Sequence, residues 1–304
     1  MNTLLKRPGT LPVKEALIRR AGPRAGILWL GIALACLGPD AVAAPEVTPS
    51  TTGSRAVSPE TKPRINLAAD LYLRPMGTGA YVICHTFPWL CNSALVEMPD
   101  GTLVLAGTPC TPEATDLVLA WARQQFGERK VVAINTGYHV DNLGGNPALL
   151  KAGIPVYGSD LTVKLLKERG EQTRLTTLKL LGGPEAPTYA AHVSIKFEPP
   201  DHVFPIQDGI KLTFGGEEVR VIYPGPTQAP DKVVVYFPAR RLLFGSCMIL
   251  AGDRPGNTTE ADMQQWPVSI RKLQPLPVDV VVPGHGDRLD PGLIQHTIDL
   301  LTKP

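Results

Sequence analysis

Four side chains with the chemistry of metal ligands stand out in the 304-residue chain: His139, Asp141, Cys247 and His285. His139 and Asp141 lie two residues apart in a polar turn that follows the apolar run Val131-Val-Ala-Ile134. Cys247 follows Leu242-Leu-Phe244 and Gly245-Ser246, and His285 sits between two glycines after Val280-Val-Val-Pro283. Asp141, Cys247 and His285 would supply one carboxylate oxygen, one thiolate and one imidazole nitrogen. That set suits Zn²⁺ in tetrahedral geometry, with the fourth position left for water or substrate. Copper is the alternative on softness, although it needs no carboxylate. Each residue also has an ordinary use: Asp141 can cap the helix that follows, Cys247 can pack, and His285 can fill a turn. His192, His202 and His296 have no such context and read as structural or surface residues. Gly137 stands where a further histidine would pair with His139.

These residues need elements that bring their strand ends together. Tyr81–Ile83, Ser93–Met98 and Thr102–Ala106 read as strands, with Pro99-Asp100-Gly101 as a turn. Thr111 as N-cap, Pro112 and Glu113 open a helix that places Ala114, Leu117, Val118 and Trp121 on one face and ends at Gly127. Strand 131–134 is followed by a short helix over 146–151, strand 154–157, and a helix over 161–169 capped by Ser159-Asp160. Residues 170–200 are expected to connect without long elements. Strands then follow at 209–214, 219–223, 233–237 and 242–244, a helix at 259–273, a strand at 278–282 and a last helix near 291–301. Strands with helices between them, given twice, imply a layered α/β structure with ligands along one edge, beyond the carboxyl ends of the strands.

The composition fits a loop-rich globular protein. The chain is 43% hydrophobic, enough for one large core or two modest ones. Residues 1–43 carry Lys6, Arg7, Lys14, Arg19, Arg20 and Arg24 against Glu15 and Asp40, so the remainder of this +2 chain is slightly acidic. Nucleic acid is not an expected partner. The basic start, the apolar run Ala25–Ala35, the break at Gly38-Pro39 and the small residues before Ala44 read as a signal peptide over 1–43. The apolar run is too short for a stable membrane span. Lipidation at Cys36 is the lesser alternative. Residues 44–64 read as a Pro/Ser/Thr-rich spacer, with the folded domain over 65–304. A periplasmic or secreted monomer is expected. Cys84 and Cys91 flank a Pro-containing loop and can close a disulfide or stay as thiols; Cys110 reads as packing. Phe87, Pro88 and Trp89 in that loop either cover a substrate or fold back on the sheet.

Five ordered segments carry a family resemblance. Asn135-Thr-Gly-Tyr-His139-Val-Asp141-Asn-Leu-Gly-Gly-Asn146 resembles the Asn-Thr-His-x-His-x-Asp-x-x-Gly-Gly-Asn motif of the metallo-β-lactamase superfamily. Tyr223-Pro-Gly-Pro-Thr-Gln228-Ala-Pro-Asp231 resembles its Tyr-Pro-Gly-Pro-Gly-His-Thr-Pro-Asp segment, and Leu243-Phe-Gly-Ser-Cys247 its Leu-Phe-Gly-Gly-Cys. Asn257 through Trp266-Pro267, and Pro283-Gly284-His285, resemble two further segments. The cysteine points to the subclass B1-like members, and the similarity runs from about Tyr72 to the C-terminus. It implies a four-layer αβ/βα sandwich with the site along one edge. It also implies two zinc positions. The second maps to Asp141, Cys247 and His285; the first keeps His139 and has Gly137 and Gln228 in place of two histidines. One zinc is therefore expected. Gly107 replaces a buried supporting aspartate, a type of loss that weakens metal affinity about 10–100-fold. Leu250 replaces a lysine that pairs with the substrate carboxylate, an interaction of about 1.5–3 kcal/mol.

The resemblance implies a single-zinc hydrolase acting on a small molecule. His139 is the expected general base, Asn257 would polarise a carbonyl, and Gln228 would hydrogen-bond the attacking water. β-Lactam hydrolysis, the basis of antibiotic resistance, is the default activity and is expected to be weak. The alternatives are a decayed exported zinc- or ligand-binding paralogue, and a lactone, ester or thioester hydrolase suited by Leu250.

Overall fold

The computed structural model describes residues 63–77 and 79–303. The expected signal peptide and nearly all of the spacer lie outside them. Eight strands form the first sheet in chain order: β1 (Ile65–Asn66), β2 (Leu71–Gly77), β3 (Ala80–Thr86), β4 (Leu90–Glu97), β5 (Leu103–Ala106), β6 (Val131–Ile134), β7 (Val156–Ser159) and β8 (His202–Phe204). The pairs from β1 to β5 are antiparallel and those from β5 to β8 parallel. The second sheet has the order β13-β12-β11-β10-β9. Its strands are β9 (Ile210–Phe214), β10 (Glu217–Ile222), β11 (Val234–Phe237), β12 (Leu242–Ser246) and β13 (Val280–Pro283), and only β12–β13 is parallel.

Alternation along the strands builds the layers. On β5, Val104 and Ala106 enter the core between the sheets, whereas Leu103 and Leu105 face helix α1 (Pro112–Phe126). On β11, Val235 and Phe237 enter the same central core, and Val234 and Tyr236 face the outer helices. Helices α2 (Val140–Leu143), α3 (Asn146–Lys151), α4 (Asp160–Leu180) and α5 (Tyr189–Ser194) follow strands of the first sheet. Helices α6 (Gln265–Arg271) and α7 (Leu293–Thr302) pack on the outside of the second, through Trp266, Ile270, Leu293 and Ile298. The result is the expected αβ/βα sandwich.

The helix ends follow local chemistry. Thr111 Oγ1 accepts from the Ala114 amide at 3.1 Å, and Gly127 ends α1 with φ 76°. Of the four residues expected on the buried face, Leu117 is 43% exposed instead. The helix expected over 259–273 is confined to Gln265–Arg271, because Asp262 Oδ1 accepts from the Gln264 and Gln265 amides and sets the start there. Strand β2 was missed because Pro75 interrupts its pattern next to a register shift between Pro75 and Gly77.

The largest departure is α4. It is 21 residues long and runs through Gly170, past the expected end at Arg169. Tertiary packing overrides the glycine: Gly170 is buried, close to Leu166 and Phe197. A Cβ at Gly170 would meet the mobile tip of Leu166 at 3.1 Å and Phe197 Cδ2 at 3.7 Å. Gly170→Ala is therefore expected to raise stability by about 0.5–1 kcal/mol. Equilibrium urea denaturation checks this; a lowered midpoint would mean that Leu166 cannot yield.

Candidate metal centre

The site lies where strands of both sheets end. Beyond β6, Asn135 and Asn146 exchange side-chain hydrogen bonds of 2.9 and 2.8 Å and close the turn. His139 is the N-cap residue of α2 and Asp141 lies in its first turn. Asn142 is the hub. Its Oδ1 accepts from Thr136 Oγ1 at 2.6 Å and Ser246 Oγ at 2.8 Å, tying β6 to β12. Its Nδ2 donates to Asp141 Oδ1 at 2.6 Å and to Cys247 Sγ at 3.5 Å. One amide thus sets the position of two candidate ligands.

Cys247 and His285 come from the parallel pair β12–β13. The Gly284 amide donates to Ser246 O at 2.7 Å, and a Cβ at 284 would lie 2.6 Å from Cys247 N. Only glycine permits that approach. His285 Nδ1 bonds Leu90 O at 2.9 Å, which leaves Nε2 facing Asp141 Oδ2 at 3.2 Å. Cys247 Sγ donates to the same Oδ2 at 3.0 Å. Burial pushes Asp141 up, but the hydrogen bond from His285 and the charge of Lys232 hold it well below the usual carboxylate range. A carboxylate oxygen, a sulfur and an imidazole nitrogen converge here, and the imidazole is oriented from behind. That donor set fits zinc.

The neighbouring position is built differently. Where a side chain at Gly137 would begin, the aliphatic stem and Nζ of Lys232 stand 2.8–3.1 Å from the Cβ position. Lys232 is fully buried, with Nζ 3.8 Å from Cys247 Sγ. Burial pulls it down, but Cys247, Asp141, Asp231 and Glu260 together raise it, so it stays an ammonium. His139 Nε2 lies 2.7 Å from Glu260 Oε2. Tyr138 OH donates to the other oxygen of Glu260, and Arg169 Nη1 is 3.5 Å away. Burial raises Glu260, but the bonds from His139 and Tyr138 hold it at about 2. Gln228 Nε2 donates to Asn257 O at 3.2 Å, and its Oε1 is buried without a partner among the described residues. Asn257 Oδ1 accepts from Thr259 N and Oγ1, leaving its Nδ2 for other partners.

His139, Asp141, Gln228, Cys247, Asn257 and His285, all expected from sequence, line one cavity of about 930 Å³. The extension of α4 supplies another wall through Arg169, Thr173, Thr176 and Leu180, at helical spacing. Leu250 lines the cavity as well. The loop aromatics divide: Trp89 is 42% exposed at the rim, whereas Phe87 turns inward and stacks on the buried His192 with ring centres 4.2 Å apart. At Gly107 a Cβ would meet the Phe244 ring at 3.1 Å, so core packing fills the place of the expected aspartate.

Cys84 and Cys91 are free thiols. In the β3–β4 register Cys84 opposes Asn92 and Cys91 opposes His85, so the two cysteines face opposite sides of the sheet. Cys110 packs with Phe87 and Cys91, as expected for a small apolar side chain. Lys232, Glu260 and Asn142 were not singled out from the sequence, and Cys91 was considered only as a disulfide partner of Cys84. Lys232 gave a signal, as a charge abutting the apolar strand Val233–Phe237. Glu260 gave none, since its segment resembled an ordinary helix.

A family model for the metallo-beta-lactamase superfamily matches residues 86–285. The chain is similar to a metallo-beta-lactamase type 2 of Bacillus sp. (strain 170), 28% identical over 214 residues that cover 69% of this chain and 72% of that protein. A metallo-beta-lactamase type 2 of Bacteroides fragilis is 24% identical, covering 70% of this chain and 76% of its own. Among solved structures, the metallo-beta-lactamase from Pontibacter korlensis superposes with a TM-score of 0.59 at 27% identity, covering 80% of this chain and 99% of its own. VMB-1 superposes with a TM-score of 0.62 at 25% identity, over 77% and 97% of the two chains. The sandwich, the donor cluster at its edge and a family match over well more than half of the sequence converge: the chain belongs to the metallo-β-lactamase superfamily.

Proposed function

We propose that the protein is an exported single-zinc hydrolase of a small carbonyl substrate, with weak activity on β-lactams. The observation that carries this reading is the placement of two devices in one cavity: the Asp141–Cys247–His285 donor cluster and the His139–Glu260 pair. Zinc held by the cluster would polarise a carbonyl or lower the pKa of a bound water. Glu260 fixes the tautomer of His139: Nε2–H donates to the carboxylate, so Nδ1 is free to accept a proton from water. The ionised Glu260 then stabilises the imidazolium that forms. Asn257 Nδ2 is left to bond a carbonyl oxygen. Gln228 is tied to the Asn257 backbone and acts by holding that segment in place. Leu250 favours an uncharged substrate, a lactone or ester, over one whose carboxylate needs a cation.

Lys232 accounts for the single zinc. Its ammonium and stem fill the space beside Gly137 and bring a fixed positive charge where a second metal would carry one. The same observation favours a second reading, a zinc-binding protein without turnover. An assay of the purified protein against a cephalosporin and an uncharged lactone separates them: hydrolysis that zinc chelation abolishes supports the hydrolase, and none with either substrate favours the second. Vigorous cephalosporin turnover would refute the inference drawn from Leu250. In the hydrolase, His139→Ala is expected to lower kcat by about 10²–10⁴ without changing zinc content.

Metal analysis of the native protein is expected to give one zinc per chain. The Gly137→His/Gln228→His variant is expected to keep one, because Lys232 still occupies the site. Adding Lys232→Ala is expected to admit a second. Glu260 offers an independent check on the His139 pair. Folding depresses it from 4.5 to about 2, so its stabilisation is complete above about pH 4.5 and lost as pH falls toward 2. Glu260→Gln is expected to cost on the order of 3 kcal/mol at neutral pH. The gap to the native denaturation midpoint should close between pH 4.5 and 2. A pH-independent gap would show that the carboxylate is not ionised against His139.

A further inference from the structure

We propose that Cys91 is a fourth zinc ligand, completing a Cys91–Asp141–Cys247–His285 set that no motif of the sequence marks. Cys91 Sγ, a carboxylate oxygen of Asp141 and a ring nitrogen of His285 all lie within 4.8 Å of one another, and Cys247 Sγ is 3.0 Å from Asp141. The proposal rests on the single-zinc reading and states how that zinc is held.

Two observations carry it, and a third is compatible with it. The first is the way the backbone places Cys91. Its neighbours on both sides are fastened to the turn that bears His285. Leu90 O accepts from His285 Nδ1, the Asn92 amide donates to Gly284 O at 2.8 Å, and Asn92 Nδ2 donates to Pro283 O at 3.0 Å and Gly286 O at 2.8 Å. Cys91 is therefore held against His285 by four hydrogen bonds that do not involve its sulfur. The second is the sulfur itself. Cys91 is 4% exposed and lines the cavity, and its sulfur contacts Trp89 O at 3.5 Å and the thiol of Cys110.

The third is charge. On binding zinc, Cys91 and Cys247 each release one thiol proton to solvent, with no change of oxidation state. Two thiolates and a carboxylate then outweigh the dication by one unit. The ammonium of Lys232, buried 3.8 Å from Cys247 Sγ, supplies that unit. A hydroxide in the fourth position would balance the same charge, so the sulfur count decides between them. Four protein ligands are the pattern of closed zinc sites, and three with a water that of open ones. With zinc bound to all four residues the centre would be closed, and Cys91 would have to give way to admit water or substrate, in keeping with the weak hydrolysis expected.

X-ray absorption at the zinc edge of the purified protein tests this, together with the sulfur-to-metal absorption of the cobalt-substituted form. Two sulfurs per metal are expected in the native protein and one in Cys91→Ser and Cys91→Ala, with zinc affinity reduced about tenfold or more. One sulfur in the native protein overturns the proposal and leaves the single-zinc reading intact. Two sulfurs that persist in a folded Cys91 variant also overturn it. No bound metal in the native protein refutes the single-zinc reading, and the proposal with it. Should neither variant fold, the native sulfur count alone decides.

Discussion

A buried lysine governs the centre of this protein. Lys232 is fully enclosed, and an ammonium stripped of water is tolerated only among anions. Asp141 and Glu260, both held ionised, supply them, with the Asp231 carboxyl and the Cys247 sulfur beside it. The surroundings follow from this charge. Position 137 has no side chain because the lysine stem passes through that space. His139, which in a two-metal site would face a cation, bonds a carboxylate instead. Asp141 stays ionised in spite of its burial. The place beside Gly137, which reads in the sequence as a gap in a metal motif, is filled in the folded chain by the buried side chain of Lys232.

The sandwich was largely legible because strands buried on both faces read as short, nearly continuous apolar runs bounded by turn residues. β5 and β11 show this clearly. The segments that were misread are those where local and tertiary preferences disagree. Gly170 argued for a helix end, yet packing carries α4 on to Leu180 and makes it a wall of the cavity. Residues 259–264 carry a helical pattern, but Asp262 caps the helix from inside it and leaves Glu260 in an irregular segment that reaches His139.

The candidate site was legible to the extent that it consists of residue types found at strand ends. Asp141, Cys247 and His285 could be picked out from glycine neighbours and preceding apolar runs, and the fold brings them together. The supporting residues could not. The role of Asn142 depends on hydroxyls of Thr136 and Ser246 that are distant in sequence. Cys91 lies on the wrong side of its hairpin to bridge Cys84, a fact set by a one-residue register that composition does not reveal.

The clamp of Asn92 on the His285 turn joins residues 191 positions apart. The centre therefore draws on the beginning and the end of the folded chain, and on both sheets. A chain emerging from its N-terminus can complete all eight strands of the first sheet by Phe204 and still lack Cys247 and His285. The donor cluster therefore needs elements of both sheets, since Asp141 follows β6 whereas Cys247 and His285 follow β12 and β13. A protein truncated before β13 would retain much of its core but lack His285, and with it the full donor cluster.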